Sequence, residues 1–163
     1  MIELAPASLQ MEHVEIGALP HYNQDLETAT PPAEVAAFRD QIRSVQAVLF
    51  ATPEYNGSIP GVLKNAVDWA SRPKGEAALL NKTVAVIGAS TGQFGAMWAQ
   101  ADLRKALGIA GARVVGDELP VTKAHERFDA QGRLLDGELF DRLRLTLEVL
   151  AAEAIPAPVA NAV

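Results

Sequence analysis

The sequence contains no cysteine among its 163 residues. This excludes disulfides, thiolate zinc sites, cysteine-ligated iron–sulfur clusters and a thiol nucleophile, and it fits a reducing cytoplasm. Basic residues are also few, since 14 Lys and Arg stand against 20 Asp and Glu for a formal charge of −6. That balance argues against nucleic acid as a partner. No apolar run approaches the roughly 18 residues of a membrane helix, and we expect neither a membrane anchor nor a signal peptide.

The residues that are present have the composition of a globular protein, with 49 % apolar and 21 % charged residues. Hydrophobic periodicity alternates between short continuous runs and helical stripes, which predicts one doubly wound α/β domain with a parallel sheet. We assign this domain to residues 1–155 and a frayed tail to residues 156–163. The predicted elements are strands at 11–17, 47–52, 82–89 and 113–121, and helices at 31–46, 60–71, 96–107 and from Asp136 onward.

Two loops rich in turn-forming and polar residues follow the buried strands 47–52 and 82–89. The first loop is residues 53–58, Pro-Glu-Tyr-Asn-Gly-Ser, and the second loop is residues 90–95, Ser-Thr-Gly-Gln-Phe-Gly. Ligands of doubly wound sheets bind beyond the carboxyl ends of the strands, where both loops are expected. The first loop offers donors, acceptors and one aromatic ring without a strong base, which suits a planar polar ligand. A sharp strand-to-helix connection would use the same residue types.

The second loop does not have the glycine spacing of a dinucleotide-binding fingerprint. It could still present backbone N–H groups at a helix N-terminus. The histidines, His13, His21 and His125, are too far apart to suggest metal-ligand spacing, so no metal site is predicted.

Several side chains have simple structural roles in this pattern. Trp69 and Trp98 lie on predicted helices, where packing in the core or at a subunit interface is favoured over ligand stacking. Lys64 and Asp68 are four residues apart on one helix and predict a surface ion pair. Asp136 is placed to cap the last helix.

Residues 53–73, PEYNGSIPGVLKNAVDWASRP, closely resemble the signature of the NADPH-dependent FMN reductase family, which includes quinone and chromate reductases of flavodoxin-like fold. A weaker similarity covers LPHYNQDLE at residues 19–27. The second loop and the following Leu103-Arg104 are also similar to the family, and the resemblance spans most of residues 3–150.

The resemblance implies a flavoprotein oxidoreductase that takes a hydride from NADPH or NADH and passes it to a small-molecule acceptor such as a quinone or free flavin. The flavin then carries the chemistry, and no catalytic side chain is assigned. The resemblance also implies a homodimer or homotetramer. The residues that it implies for FMN binding are Pro53, Glu54, Tyr55, Asn56, Gly57, Ser58, Ser90, Thr91, Gly92 and Gly95.

The sequence departs from the family at two places. Residues 95–98 read Gly-Ala-Met-Trp where the family often has Gly-Gly-x-Arg, so Trp98 is expected to reshape the pocket or the subunit contact. The family's first strand, its Gly-Ser-x-Arg phosphate loop and most of its first helix have no counterpart. We therefore expect that Met1 is not the natural start and that roughly 25–35 upstream residues supply them.

Two alternative functions follow from these departures. A truncated relative without the phosphate loop could be a non-enzymatic module that keeps an oligomer interface. A flavodoxin-type electron carrier would share the fold but would not itself consume NAD(P)H.

Overall fold

The computed structural model describes residues 5–7 and 9–154. A short 3₁₀ turn at Gln24–Leu26 precedes the regular elements, and α4 is a single turn. None of the helices in this part of the chain has the length and apolarity needed to cross a bilayer. In chain order the elements are α1 (Ala33–Ser44), β1 (Ala47–Thr52), α2 (Gly61–Ala70), β2 (Thr83–Ala89), α3 (Met97–Ile109), β3 (Arg113–Val114), β4 (Pro120–Val121), α4 (Ala124–Arg127) and α5 (Gly137–Glu153).

The sheet is parallel throughout, which confirms the predicted α/β class. β2 lies in the centre with β1 on one side, and β3 and β4 pair with successive parts of its other edge. All residues of β2 except the last are buried, as expected for a strand covered on both faces. The carboxyl ends of β1 and β2 are aligned by the pairing of Thr52 with Gly88.

The predicted strand at 113–121 is interrupted, and its middle leaves the sheet. Side chains of α3 take the backbone groups that a continuous strand would use. The Leu119 N–H donates to Oε1 of Gln100 at 3.0 Å, and the Gly116 carbonyl accepts from Nη2 of Arg104 at 2.7 Å. The hydrophobic run alone does not reveal these two competing partners.

The predicted strand at 11–17 is wrong. Its alternation does report burial of one face, because Val14 and Ile16 pack against the larger core cluster, but the segment pairs with no strand. On the side away from β2, β1 has no strand partner within the described residues. The predicted tail at 156–163 lies outside those residues.

The two faces of the sheet are covered unequally. Three helices, α1 to α3, cover one face, where Val84 and Val86 point into the larger core cluster. On the other face α5 packs over Ile87 and Val121 through Leu139 and Leu143. Because α5 packs over β2 and β4, it leaves the carboxyl end of β1 uncovered, and a groove is open there.

The last helix is capped as predicted. The Asp136 carboxylate accepts from the Leu139 N–H at 3.0 Å and also pairs with Arg127. The Leu139 backbone hydrogen bond, with the positive charge of Arg127 in support, holds the pKa of Asp136 below its usual range. The ion pair predicted on α2 is also present, with Lys64 Nζ 2.6 Å from Asp68.

Trp69 anchors the segment before α1 to α2. Its side chain is fully buried, and its indole N–H donates to the Pro20 carbonyl at 2.8 Å. The ring of Tyr22 packs edge-on with the centroids 4.9 Å apart. Asn65, one turn earlier on α2, accepts from the Tyr22 N–H and donates to Pro20. The two segments that resemble the family, residues 19–27 and α2, therefore contact each other directly.

We expect Trp69→Phe to lower the free energy of unfolding by roughly 1.5–3 kcal/mol, since it removes a hydrogen bond and leaves a cavity. The matched control is Trp98→Phe, because Trp98 is 47 % exposed. The control should stay within about 0.5 kcal/mol. Urea unfolding of both variants measures the difference, and equal losses would contradict the role of Trp69 as an anchor.

Candidate functional site

The candidate site is formed where β1 and β2 end side by side. Because the strands are parallel and adjacent, the first loop after Thr52 and the second loop after Ala89 emerge at the same edge of the sheet. This is the edge at which open α/β sheets bind their ligands. The structure thus brings the two predicted loops together.

The first loop is a miniature hairpin. Tyr55 and Ser58 exchange backbone hydrogen bonds of 3.0 and 3.1 Å. Between them Asn56 and Gly57 have φ of 52° and 72°. Positive φ at both central residues is the arrangement of a type I′ turn, which Asn-Gly favours above other pairs. The turn projects the Tyr55 side chain outward, where it is 64 % exposed.

Both loops present backbone donors at this edge. In the described part of the chain, the N–H groups of Asn56, Gly57, Thr91 and Gly92 have no backbone acceptor. All four residues are exposed. Unpaired N–H groups on neighbouring loops can donate to carbonyl or ring-nitrogen acceptors of a flat polar ligand.

The second loop is fastened to the following strand and helix. Ser90 donates to the Val121 carbonyl at 3.1 Å, and the Ser90 carbonyl accepts from Ala124 at 2.9 Å. Gly95 has φ of 59°, and a Cβ there would lie 2.8 Å from backbone atoms of β4. Only glycine permits this close approach. The buried Gln100 adds a further tie, since its side-chain amide donates to the Gly95 carbonyl at 3.3 Å.

Two side-chain hydrogen bonds join the first loop to α3. The Glu54 carboxylate accepts from the backbone N–H of Ala99 at 3.0 Å. The Ser58 hydroxyl donates to Oδ2 of Asp102 at 2.8 Å. Glu54 and Ser58, which the resemblance assigned to cofactor binding, are therefore both occupied by contacts within the protein.

Exposed aromatic side chains lie in the two loops and at the start of α3. Phe94 and Trp98 pack on each other with ring centroids 4.7 Å apart, yet they are 44 % and 47 % exposed. Met97 beside them and Val62 on α2 are also exposed. We call Tyr55, Val62, Phe94, Met97 and Trp98 the aromatic patch.

A groove of about 590 Å³ opens beneath the loops on the α5 side of the sheet. This volume lies within the roughly 300–1,000 Å³ typical of small-molecule sites. Its walls are mainly apolar, and its charged member is Arg133, paired with Asp129 at 2.7 Å. Backbone hydrogen bonds, led by that of Arg133, hold the pKa of Asp129 below its usual range and order this wall. The residues lining the groove are Ala51, Thr52, Pro53, Ile87, Gly88, Ala89, Val121, Phe128, Gly132, Arg133, Leu134, Phe140 and Leu143.

The structure places the predicted site residues in different roles. Pro53 lines the groove, and Tyr55, Asn56, Gly57, Thr91 and Gly92 are exposed. Gly95 is buried against β4. Sequence reasoning missed Gln100 and Asp102, whose partners are 19 and 44 residues away. The position of Gln100, a polar residue on the buried face of α3, could have indicated its role. Nothing in the sequence indicated the role of Asp102.

Comparison with known proteins identifies the family. The family model described as NADPH-dependent FMN reductase matches residues 1–126. An NAD(P)H-dependent FMN reductase of Pseudomonas aeruginosa is 43 % identical over 150 residues, covering 91 % of this chain and 80 % of the relative. A 2-hydroxy-1,4-benzoquinone reductase of a Burkholderia species is 38 % identical over 154 residues, covering 93 % and 83 %.

Among solved structures, the flavoenzyme NAD(P)H:(acceptor) oxidoreductase FerB of Paracoccus denitrificans superimposes with a TM-score of 0.80 at 36 % identity. The match covers 94 % of this chain and 87 % of FerB. The chain belongs to the NADPH-dependent FMN reductase family.

The residues at the sheet edge fit the ring of the family's FMN cofactor. Free N–H groups lie on two adjoining loops, and an apolar groove of suitable volume opens beside them. The phosphate of FMN has no comparable match among the groove residues, because Arg133 is already paired with Asp129. The fit therefore concerns the ring end of the cofactor.

We expect Gly95→Ala to lower the free energy of unfolding by about 2–4 kcal/mol, since it combines a left-handed backbone with overpacking against β4. Gly92→Ala is the control, because a Cβ there meets nothing closer than Ser90 Oγ at 3.6 Å. Thermal and urea unfolding of both variants test this. A Gly95→Ala protein as stable as its control would show that the second loop does not depend on this contact.

Proposed function

We propose that this chain is an FMN-dependent NAD(P)H oxidoreductase acting on a small acceptor such as a quinone or free flavin. The observation that carries the proposal is the pair of adjoining loops with free N–H groups at the ends of β1 and β2, in a chain of the FMN reductase family. Relatives named as FMN reductases and quinone reductases support both acceptor classes.

Specific residues would hold the cofactor ring. The N–H groups of Asn56 and Gly57 would donate from the first loop, and those of Thr91 and Gly92 from the second. Pro53 and the apolar wall of the groove would exclude water from one side of the ligand. FMN supplies the redox chemistry when it is bound, since its ring takes a hydride from NAD(P)H and gives it up to an acceptor.

The protein groups contribute orientation rather than acid–base chemistry. No side chain of the two loops is a histidine or lysine, and Glu54 is engaged with α3. Proximity and alignment are then what the protein adds to the reaction. The intracellular pool of NAD(P)H makes the cytoplasm the proposed location.

Two observations favour the non-enzymatic module as a second candidate. β1 has an unpaired edge in the described chain, and the groove beside α5 offers no free cation for a phosphate. Each hydrogen bond to a charged group contributes roughly 1.5–3 kcal/mol, so an FMN phosphate that lacks three such bonds would bind weaker by several powers of ten. A protein that binds FMN only at millimolar concentration would favour the module.

The proposed ring site is tested by Asn56→Ala combined with Ser58→Ala. The first change strains the left-handed turn and removes an amide, and the second releases the loop from Asp102. We expect FMN affinity, or the rate of flavin reduction by NAD(P)H, to fall about tenfold or more, corresponding to at least about 1.4 kcal/mol. FMN titration and anaerobic mixing with NADH or NADPH measure these quantities.

Asn56→Gly is the matched control, because glycine keeps the turn while losing the amide. If FMN affinity and flavin reduction in Asn56→Gly are close to those of the wild type, the loss in the double variant results from the altered loop conformation. Unchanged binding and turnover in the double variant would remove the first loop from the site. Adding a quinone or free FMN as the final acceptor distinguishes the two acceptor classes.

We propose further that the aromatic patch joins two copies of the chain in a homodimer, or in pairs within a tetramer. An exposed cluster of aromatic and aliphatic side chains is typical of an interface core. Trp98→Arg should shift the mass from light scattering toward the monomer. Ile109→Arg, at the far end of α3 and 79 % exposed, is the control. A wild-type monomer at micromolar concentration would contradict the proposal.

A further inference from the structure

The N-cap residue of helix α3 makes no capping hydrogen bond with its side chain. The N-cap residue is Ala96, which has a left-handed backbone and no side-chain oxygen. Helix N-termini leave backbone N–H groups unpaired, and a Ser, Thr, Asp or Asn usually satisfies one of them. Here the acceptor is Glu54, 45 residues earlier, whose Oε2 lies 3.0 Å from the N–H of Ala99.

A carboxylate is well suited to this place. The aligned peptide dipoles of a helix give its N-terminus a partial positive charge, which favours an anion there. α3 has 13 residues and no acidic side chain in its first turn. Glu54 is partly buried, so the interaction is less screened by solvent than one between fully exposed groups.

A second hydrogen bond acts on the same pair of elements. Ser58, at the other end of the first loop, donates to Asp102, one turn further along α3. The two bonds therefore hold both ends of the hairpin turn to one helix, and that helix follows directly from the second loop. The distance between the two sets of free N–H groups depends on this double attachment.

We propose that Glu54 is a positioning residue, which caps α3 and thereby fixes the first loop against the second loop. Asp102 supports it through Ser58. This inference rests on the proposed function for the identity of the ligand, FMN, but the cap itself does not. It also implies that a carboxylate of the protein lies at the α3 N-terminus, which disfavours binding of a ligand phosphate there.

The test compares Glu54→Ala with Glu54→Gln in the full chain. Gln keeps an oxygen that can accept from Ala99, whereas Ala does not. Loss of a cap and of loop order should weaken FMN binding about 5- to 20-fold in Glu54→Ala, and less than about threefold in Glu54→Gln. In the protein without FMN, the Ala99 amide should exchange with solvent faster in Glu54→Ala, as measured by NMR hydrogen exchange.

The control is Glu34→Ala, which removes a carboxylate from the first turn of α1, outside both loops. It should leave FMN affinity and Ala99 exchange unchanged. The visible spectrum of bound flavin should be the same in wild type and Glu54→Gln, because the proposal assigns the carboxylate to α3 and not to the ring.

Three results would overturn the inference: unchanged FMN affinity in Glu54→Ala, a Glu54→Gln variant as weak as Glu54→Ala, or unchanged Ala99 exchange. If the wild type binds no FMN, the proposed function fails and so does the positioning role toward FMN. The exchange measurement still decides separately whether Glu54 caps α3.

Discussion

The parallel pairing of β1 with β2 is the constraint on which the rest of the structure depends. Because this pair is continuous from Ala47 to Thr52, both strands end at the same level, and the loops that follow must share one edge. The polar residues lie in the loops, because a buried polar side chain without a hydrogen-bond partner in the strands would be unfavourable. The sheet thus concentrates free backbone donors at a single place without needing a charged side chain there.

Some side chains predicted to bind the ligand also stabilise the scaffold. Glu54 and Ser58 are the polar groups of the first loop best suited to contact a ligand, yet both bind α3. Asn65 and Trp69, further along the same signature, hold the segment around Pro20. The signature therefore describes a folding unit as much as a binding site, which explains how it can extend over 21 residues.

The local sequence pattern was sufficient to predict the helices that bury an apolar stripe and the strands that consist of a continuous apolar run. The strands at 47–52 and 82–89, four helices and the Asp136 cap could be predicted because their signals lie within a few residues. The errors at 11–17 and 113–121 share another cause, since pairing depends on which groups are available across the fold. Gln100 illustrates this, as its amide competes for Leu119 from 19 residues away. The site was predictable as two loops, but not the bonds that fix their spacing.

The unequal covering of the sheet connects the fold to the chemistry. One face of the sheet is closed by three helices, whereas α5 leaves the apolar end of β1 open as a groove beneath the loops. The same strand has an unpaired edge within the described chain. An apolar face and an unpaired strand edge are each unfavourable in water, and a bound flat ligand would cover part of this surface. The groove is therefore the place where a change in the surrounding protein would most directly alter how the FMN ring is held.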